Sequence, residues 1–279
     1  YITVIPEIDM PGHMQAALAA YPELACTDGP FDVSTRWGVH KDIMCPSEVT
    51  FEFIENVLLE VMELFPSEYI HIGGDEVPTT RWKNSELAQQ VIHENNLLSE
   101  HDLQGYFYER VANFLKSNNR AAIGWDEIIE KNISTQTTVM AWRDLEFAEN
   151  AAKLGHQVIL TPSDFTYLNY YQDNQSTEPL AQCCMITLEK AYDFSLDLVG
   201  LTKEEQSLVL GGQASLWSEY IKTQAHLEYM MLPRMLALSE VLWTNGELHD
   251  LSKLKEKLPR HFSFFEKIDV NFKESDFDG

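Results

Sequence analysis

Short apolar, β-branched stretches alternate along the chain with longer stretches whose apolar residues recur every three or four positions. Residues 2–8 form the first β-rich stretch, and Pro11-Gly12 breaks it. Residues 69–73, 121–125, 137–142, 157–161 and 208–214 read as further strands. Residues 50–65 carry Phe51, Ile54, Leu58, Val61, Met62 and Phe65 at helical spacing, with Thr50 as the expected cap and Glu52 suiting the positive first turn. The same spacing predicts helices near 85–94, 102–117, 146–154, 227–242 and 251–268, and the pattern around His13 allows another starting at Met14.

Repeated strand–helix alternation implies a parallel sheet covered on both faces, either doubly wound or closed as a barrel. No Gly-rich phosphate loop follows the first strand, which removes the signature of a nucleotide fold. Polar and aromatic residues collect instead at strand ends: Glu7 and Asp9, Asp75 and Glu76, Trp125 and Asp126, Trp142 and Arg143. Groups delivered from the ends of several strands are the habit of a (β/α)8 TIM barrel. Six strands are legible, so a closed barrel of eight is expected to draw two more from before Tyr1. No linker rich in Pro, Gly or Ser interrupts the pattern, so one barrel domain is expected over 1–268, followed by a polar acidic tail at 269–279.

Composition narrows the partners. With 279 residues and 44% hydrophobic content, the chain can bury one large core. No apolar run approaches the ~20 residues of a membrane span. The net charge of −24 disfavours nucleic acid and anionic lipid, whose phosphates need Lys and Arg. The opening Tyr1-Ile2-Thr3-Val4-Ile5 is neither a Met start nor a basic leader, and it reads as the inside of a strand. The four cysteines lack metal-ligand spacing. Cys26 and Cys45 bracket a polar loop, as a disulfide or as two buried thiols, while Cys183 and Cys184 are adjacent.

The sharpest local feature is His71-Ile72-Gly73-Gly74-Asp75-Glu76. Strand alternation would send Asp75 and Glu76 to opposite faces, but two glycines can adopt angles that turn both toward one cleft. Neighbouring carboxyls in a partly dry site repel, so one is expected to keep its proton, which supplies the acid and the anion that glycoside cleavage uses. The plainer alternative has Asp75 capping a following helix with Glu76 in water. A metal site on His71, Asp75 and Glu76 is a third reading, unsupported by ligand spacing. Asp9 and His13 flank the Pro-Gly turn, where His13 either tunes a neighbouring acid or caps a helix. Trp125, Trp142 and Trp217, with Tyr167 and Tyr170, lie at or just past strand ends, where indoles can stack on the apolar face of a sugar.

Together these stretches resemble the family 20 glycoside hydrolases, the β-N-acetylhexosaminidases. The resemblance is carried by VIPEIDMPGH at Val4–His13, HIGGDE at His71–Glu76, AIGWDE at Ala122–Glu127, Ala141-Trp142, GGQASLWSEY at Gly211–Tyr220 and LPRMLALSEVLW at Leu232–Trp243. It implies an exo-acting retaining enzyme in which the substrate's own acetamido carbonyl is the nucleophile, an exception to the two-carboxylate scheme. On that reading Glu76 is the general acid and Asp75 holds the acetamido group. His13 would assist Glu76, and Asp9 would steady Asp75. Tyr167 would bond the acetamido oxygen, with Trp125, Trp142 and Trp217 around its methyl group. Asn169 and Glu219 would bind sugar hydroxyls.

The resemblance implies no metal and no cofactor, a glycan with a terminal N-acetylhexosamine as partner, and export to a periplasm, lysosome or medium. Asn132-Ile133-Ser134 and Asn174-Gln175-Ser176 are formal glycosylation sequons. Three departures stand out. The family's sugar-gripping Arg and the Asp that partners the residue matching His13 belong to strands preceding Tyr1. Asn169 stands where Asp is usual, and no Trp occurs from Leu168 to Leu216, where many members shelve the leaving group. The rivals are an ordinary retaining glycosidase with Asp75 or Glu219 as covalent nucleophile, and a sugar-binding relic without turnover.

Overall fold

The computed structural model of the chain describes residues 2–131 and 133–274. They fall into two compact units, one of 2–140 with Asn150–Val158, the other of Ala141–Glu149 with 159–274.

The first unit opens with a short helix, α1 (Gln15–Ala20), and the long α2 (Glu48–Leu64). Strand β1 (Tyr69–His71) follows, then helices α3 (Thr80–Lys83), α4 (Glu86–Glu94) and α5 (Glu100–Ser117), and strands β2 (Ala121–Trp125) and β3 (Thr138–Ala141). The strands run parallel in the order β1-β2-β3, with Tyr69 opposite Ala121 and Ile123 opposite Thr138. Ile70, Ile72 and Ile123 are fully buried, as are Phe51 and Leu58 of α2 and Phe107 and Leu115 of α5. Each such side chain contributes roughly 1.5–3 kcal/mol of transfer free energy.

The cap of α2 is Ser47 rather than Thr50: Ser47 Oγ accepts the Thr50 amide at 3.1 Å and bonds its hydroxyl at 2.9 Å. Both residue types can cap, but Thr50 is fully buried one turn in. The stretch 2–8 is not a regular strand. It makes one isolated parallel bridge, Glu7 to His71, with Pro6 O accepting from His71 N and Ile8 N donating to His71 O. Pro6 has no N–H to extend the ladder, and Ile2, Val4 and Ile5 are exposed. Cys26 and Cys45 are joined as a disulfide, 19 residues apart in sequence, which decides between the two sequence alternatives.

The second unit contains the start of α6 (Leu145–Lys153), then β4 (Val158–Leu160) from Ile159 onward, α7 (Ser163–Thr166), β5 (Tyr170–Tyr171) and β6 (Gln182–Met185). Helices α8 (Leu188–Tyr192) and α9 (Lys203–Gln206) lead to β7 (Val209–Gly212), which neighbours β4, and then to α10 (Gln224–Met231), α11 (Arg234–Trp243) and α12 (Leu251–Lys267). The single helix expected at 227–242 is split at Leu232-Pro233, because Pro233 has no amide to bond back into the preceding turn. Arg234 is fully buried and donates to four carbonyls: Leu168 at 2.6 Å, Met230 at 2.5 Å, Ile186 at 2.9 Å and Tyr170 at 3.0 Å. Residues 269–274 continue from α12, with Asn271 N donating to Glu228 and Lys273 paired with Asp173 and Glu178. The rest of the expected tail, 275–279, lies outside the described residues, as does Asn132 of the first sequon. Among the described residues no helix is long and apolar enough to cross a membrane. Among the described residues the parallel strands do not close into a ring.

Candidate active site

The first unit gathers a carboxylate cluster just past the end of β1. Gly73 and Gly74 take φ of +67° and +104°, which only glycine adopts freely, and they turn the chain out of the strand. A Cβ on Gly73 would lie 1.6 Å from Asp9 Oδ1, so Asp9 is nested against bare backbone. The turn is fixed from two sides. Asp9 Oδ1 accepts the Gly74 amide at 3.0 Å, and the Tyr108 hydroxyl of α5 donates to the Gly74 carbonyl at 2.8 Å, itself held by Gln104.

Beyond this turn Asp75 and Glu76 reach one point. His13 Nε2 lies 3.4 Å from Asp75 Oδ2 and 3.4 Å from Glu76 Oε2. The two glycines therefore bring both carboxylates to one side. Asp75 caps no helix, since the next one begins after Thr79. His13 caps none either: α1 is entered through Met14 without a side-chain cap. His13 and Glu76 both hold left-handed backbone, at φ +54° and +50°, a strain of roughly 1 kcal/mol or more each. The other Asp75 oxygen, Oδ1, is buried with no hydrogen-bond partner.

Charge follows this geometry. The bonds to Asp75 and then Glu76 push the His13 pKa up to about 10, against the effect of its burial. Burial first, and the charge of Asp75 second, push Asp9 up to about 8. Asp9 thus keeps its proton near neutrality, beside the Asp75-Glu76 pair. The folded chain then holds this proton from about pH 4 to about pH 8 while the unfolded chain has lost it, so stability falls as pH rises through that window. The melting temperature is expected to drop less between pH 5 and pH 8 in Asp9→Asn than in the wild type. An identical drop in both would show that Asp9 is already ionised at pH 5.

Beneath the cluster, Glu7 Oε1 accepts the Trp125 indole N–H at 2.9 Å and lies 3.3 Å from His71 Nδ1. The Gly73 amide also approaches His71 Nδ1, at 3.1 Å. One nitrogen cannot serve both, and the charge-assisted contact to Glu7 is the stronger. Burial disfavours the Glu7 anion, but His71 and Trp125 more than offset it and hold its pKa below the usual 4.5. Trp125 is buried, its ring 4.7 Å from that of His71. His71 thus faces Glu7 rather than Asp75. The residues that could share a metal ion are instead Asp9, His13 and Asp75, whose donor atoms lie within 4.8 Å of one another.

The second unit gathers an aromatic group. Leu168 N donates to Ser215 O and Ser215 N to Thr166 O, so Tyr167 pairs with the segment that carries Trp217. The Tyr167 ring centre lies 6.2 Å from Trp142, 6.4 Å from Trp217 and 5.6 Å from Tyr170. Tyr167 is buried, Trp142 half-buried and Trp217 39% exposed, so the group is open at one end. Asn169 is buried with its side-chain oxygen unpartnered, and Glu219 is exposed.

The model of the glycosyl hydrolase family 20 catalytic domain matches residues 1–246. The chain belongs to this family. Its catalytic fold is the TIM barrel, and the parallel α/β arrangement here is of that class. The chain is 44% identical over 246 residues to a β-hexosaminidase of Porphyromonas gingivalis, covering 88% of this chain and 32% of that protein. To a β-hexosaminidase of Vibrio furnissii it is 37% identical over 244 residues, covering 85% and 40%. Among solved structures, an exo β-N-acetylglucosaminidase of Vibrio harveyi bound to N-acetylglucosamine superposes with a TM-score of 0.87 at 30% identity, covering 98% of this chain and 44% of that one. The chain thus spans about a third to two fifths of the length of these two curated relatives.

Sequence reasoning missed Glu7 as the anchor of His71 and Trp125, and it missed Tyr108, Gln104 and Arg234. Tyr108 and Gln104 carried a signal: they are polar residues four apart on the buried face of an amphipathic helix.

Proposed function

We propose that this chain carries the catalytic residues of an exo-acting β-N-acetylhexosaminidase that removes terminal N-acetylhexosamine with retention, the substrate's acetamido oxygen acting as nucleophile. The observation that carries the reading is Asp75. One of its oxygens is engaged with His13 beside Glu76, and the other is buried, unpartnered and able to accept an amide N–H. Glu76, 41% exposed, is the general acid toward the glycosidic oxygen and later the base toward water. His13 supplies positive charge between the two carboxylates, and Asp9 holds the turn that aims them. The family resemblance assigns Tyr167 to the acetamido oxygen, Trp142, Trp217 and Trp125 each to its methyl group, and Asn169 and Glu219 to sugar hydroxyls. The family match and the activity named for the Vibrio harveyi relative support this assignment. The Cys26–Cys45 disulfide and the exposed Asn174 sequon support export, because cytosolic thiols are kept reduced; fractionation of the native host checks this.

The test uses two ligands. A thiazoline that mimics the bicyclic oxazolinium intermediate should bind much more tightly than N-acetylglucosamine, since affinity follows resemblance to the transition state. Asp75→Asn should weaken the thiazoline at least about tenfold more than the plain sugar, because a charge-assisted contact becomes a neutral one. Equal losses would reduce Asp75 to a positioning group. A fluorosugar adduct on any Asp or Glu, found by mass spectrometry, would hand the mechanism to a covalent nucleophile.

A further inference from the structure

Two of the four cysteines are locked in the Cys26–Cys45 disulfide, so native thiol chemistry is confined to Cys183 and Cys184, both exposed. Adjacent residues of a regular strand point to opposite faces. This pair sits in an irregularity of the small sheet: Tyr170 pairs with Gln182 and Tyr171 with Met185, so Cys183 and Cys184 bulge out between two paired positions. Cys184 holds left-handed backbone, at φ +68°. Bulge and left-handed residue together cancel the alternation, and the Cys184 thiol is hydrogen-bonded to the Cys183 sulfur. That bond, with burial second, pushes the Cys184 pKa up to about 11. The sulfurs lie beside Tyr170, whose pKa burial raises first and the two cysteines next, to about 12. The Tyr170 ring is in turn 5.6 Å from that of Tyr167.

We propose that Cys183 and Cys184 form a bidentate site for a thiophilic centre, of the class of trivalent arsenicals and soft metal cations, at the edge of the Tyr167 aromatic group. With phenylarsine oxide the reaction balances without redox change. Each sulfur forms one bond to arsenic, the As–O bond is lost, and the oxide leaves as water with the two thiol protons. The second As–S bond closes intramolecularly, so the chelate outlasts any one-sulfur adduct. Soft sulfur ligands select such centres. The chelate places a phenyl group next to Tyr170, where it obstructs substrate entering along Tyr167. This consequence rests on the function proposed above, whereas the chelation does not.

The full chain is treated with phenylarsine oxide, passed through a desalting column and examined by intact mass, by thiol titration and by hydrolysis of a chromogenic N-acetylglucosaminide. One phenylarsenic per chain and loss of both titratable thiols are expected, with KM raised on the order of fivefold or more and kcat changed less. Cys183→Ser and Cys184→Ser should each lose the adduct on the column and keep the untreated KM. Adducts retained by both single variants, or no adduct on the wild type, would overturn the chelate. An adduct that leaves KM unmoved would overturn its proximity to substrate. A chain with no hydrolytic activity would count against the functional reading, and the mass result would still decide the site.

Discussion

Glu76→Gln is expected to slow hydrolysis of substrates with poor leaving groups by about 10²–10⁴-fold, the usual worth of a positioned acid. The amide keeps the shape that packs near His13 Nε2, 3.4 Å away, but has no proton to give the departing oxygen. Affinity for N-acetylglucosamine should therefore stay within a few-fold, because on the proposed reading Glu76 acts on the leaving group, which that ligand lacks. Aryl substrates whose leaving groups are stable as anions need little protonation, so their loss should be much smaller. Steady-state kinetics over a series of aryl leaving groups checks this as a steepened dependence on leaving-group pKa. A variant that hydrolyses poor leaving groups at near wild-type rates would move the acid elsewhere, with Glu127 and Glu219 next in line.

The second large effect is expected from Gly73→Ala, through packing. A methyl group there meets Asp9 at 1.6 Å from Oδ1, 2.3 Å from Cγ and 2.7 Å from Cα. The first two overlaps could be relieved by rotating the carboxyl, but only by giving up the bond to the Gly74 amide. The third is with backbone, and that backbone is tied to the strand by Ile8 N to His71 O and Met10 N to Ile72 O. To this is added the left-handed φ of +67°. Strain and overpacking together should destabilise the chain by about 3 kcal/mol or more. Urea denaturation would show it as a lower midpoint with an unchanged slope. Adding Asp9→Ala should recover part of that stability while leaving activity lost, a coupling expected of residues in direct contact. Full stability in the single variant would mean that the Asp9 nest is loose.

The elements that sequence pattern located well are those whose register is set locally. The i, i+3, i+4 spacing of Phe51, Ile54 and Leu58 marks α2 to within two residues, and residues 121–125 are β2 as expected. The glycine pair before Asp75-Glu76 was legible for a similar reason, because its positive φ values are properties of two adjacent residues. What failed needed the rest of the chain. The apolar 2–8 stretch looks like a strand until the ladder is counted and Pro6 is found without a donor. Pro233 was in plain view, but the apolar periodicity on either side of it outweighed the missing amide. The bond from the Trp125 N–H to Glu7, 118 residues away, could not be read from the strand end that carries the indole. The proton held by Asp9 also depended on burial, which its sequence neighbourhood does not show.

Arg234 has one more consequence, best put in the language of coordination chemistry. Its guanidinium is a cation that donates to four carbonyl oxygens, at Leu168 and Tyr170 of one segment, at Ile186, and at Met230 in the preceding helix. Many proteins gather loop carbonyls in this way around calcium or sodium, and those loops then loosen under chelators, dilution or ion exchange. Here the coordinated ion is covalently part of the chain. The segments beside Tyr167 are therefore bridged at these carbonyls without an exchangeable ion.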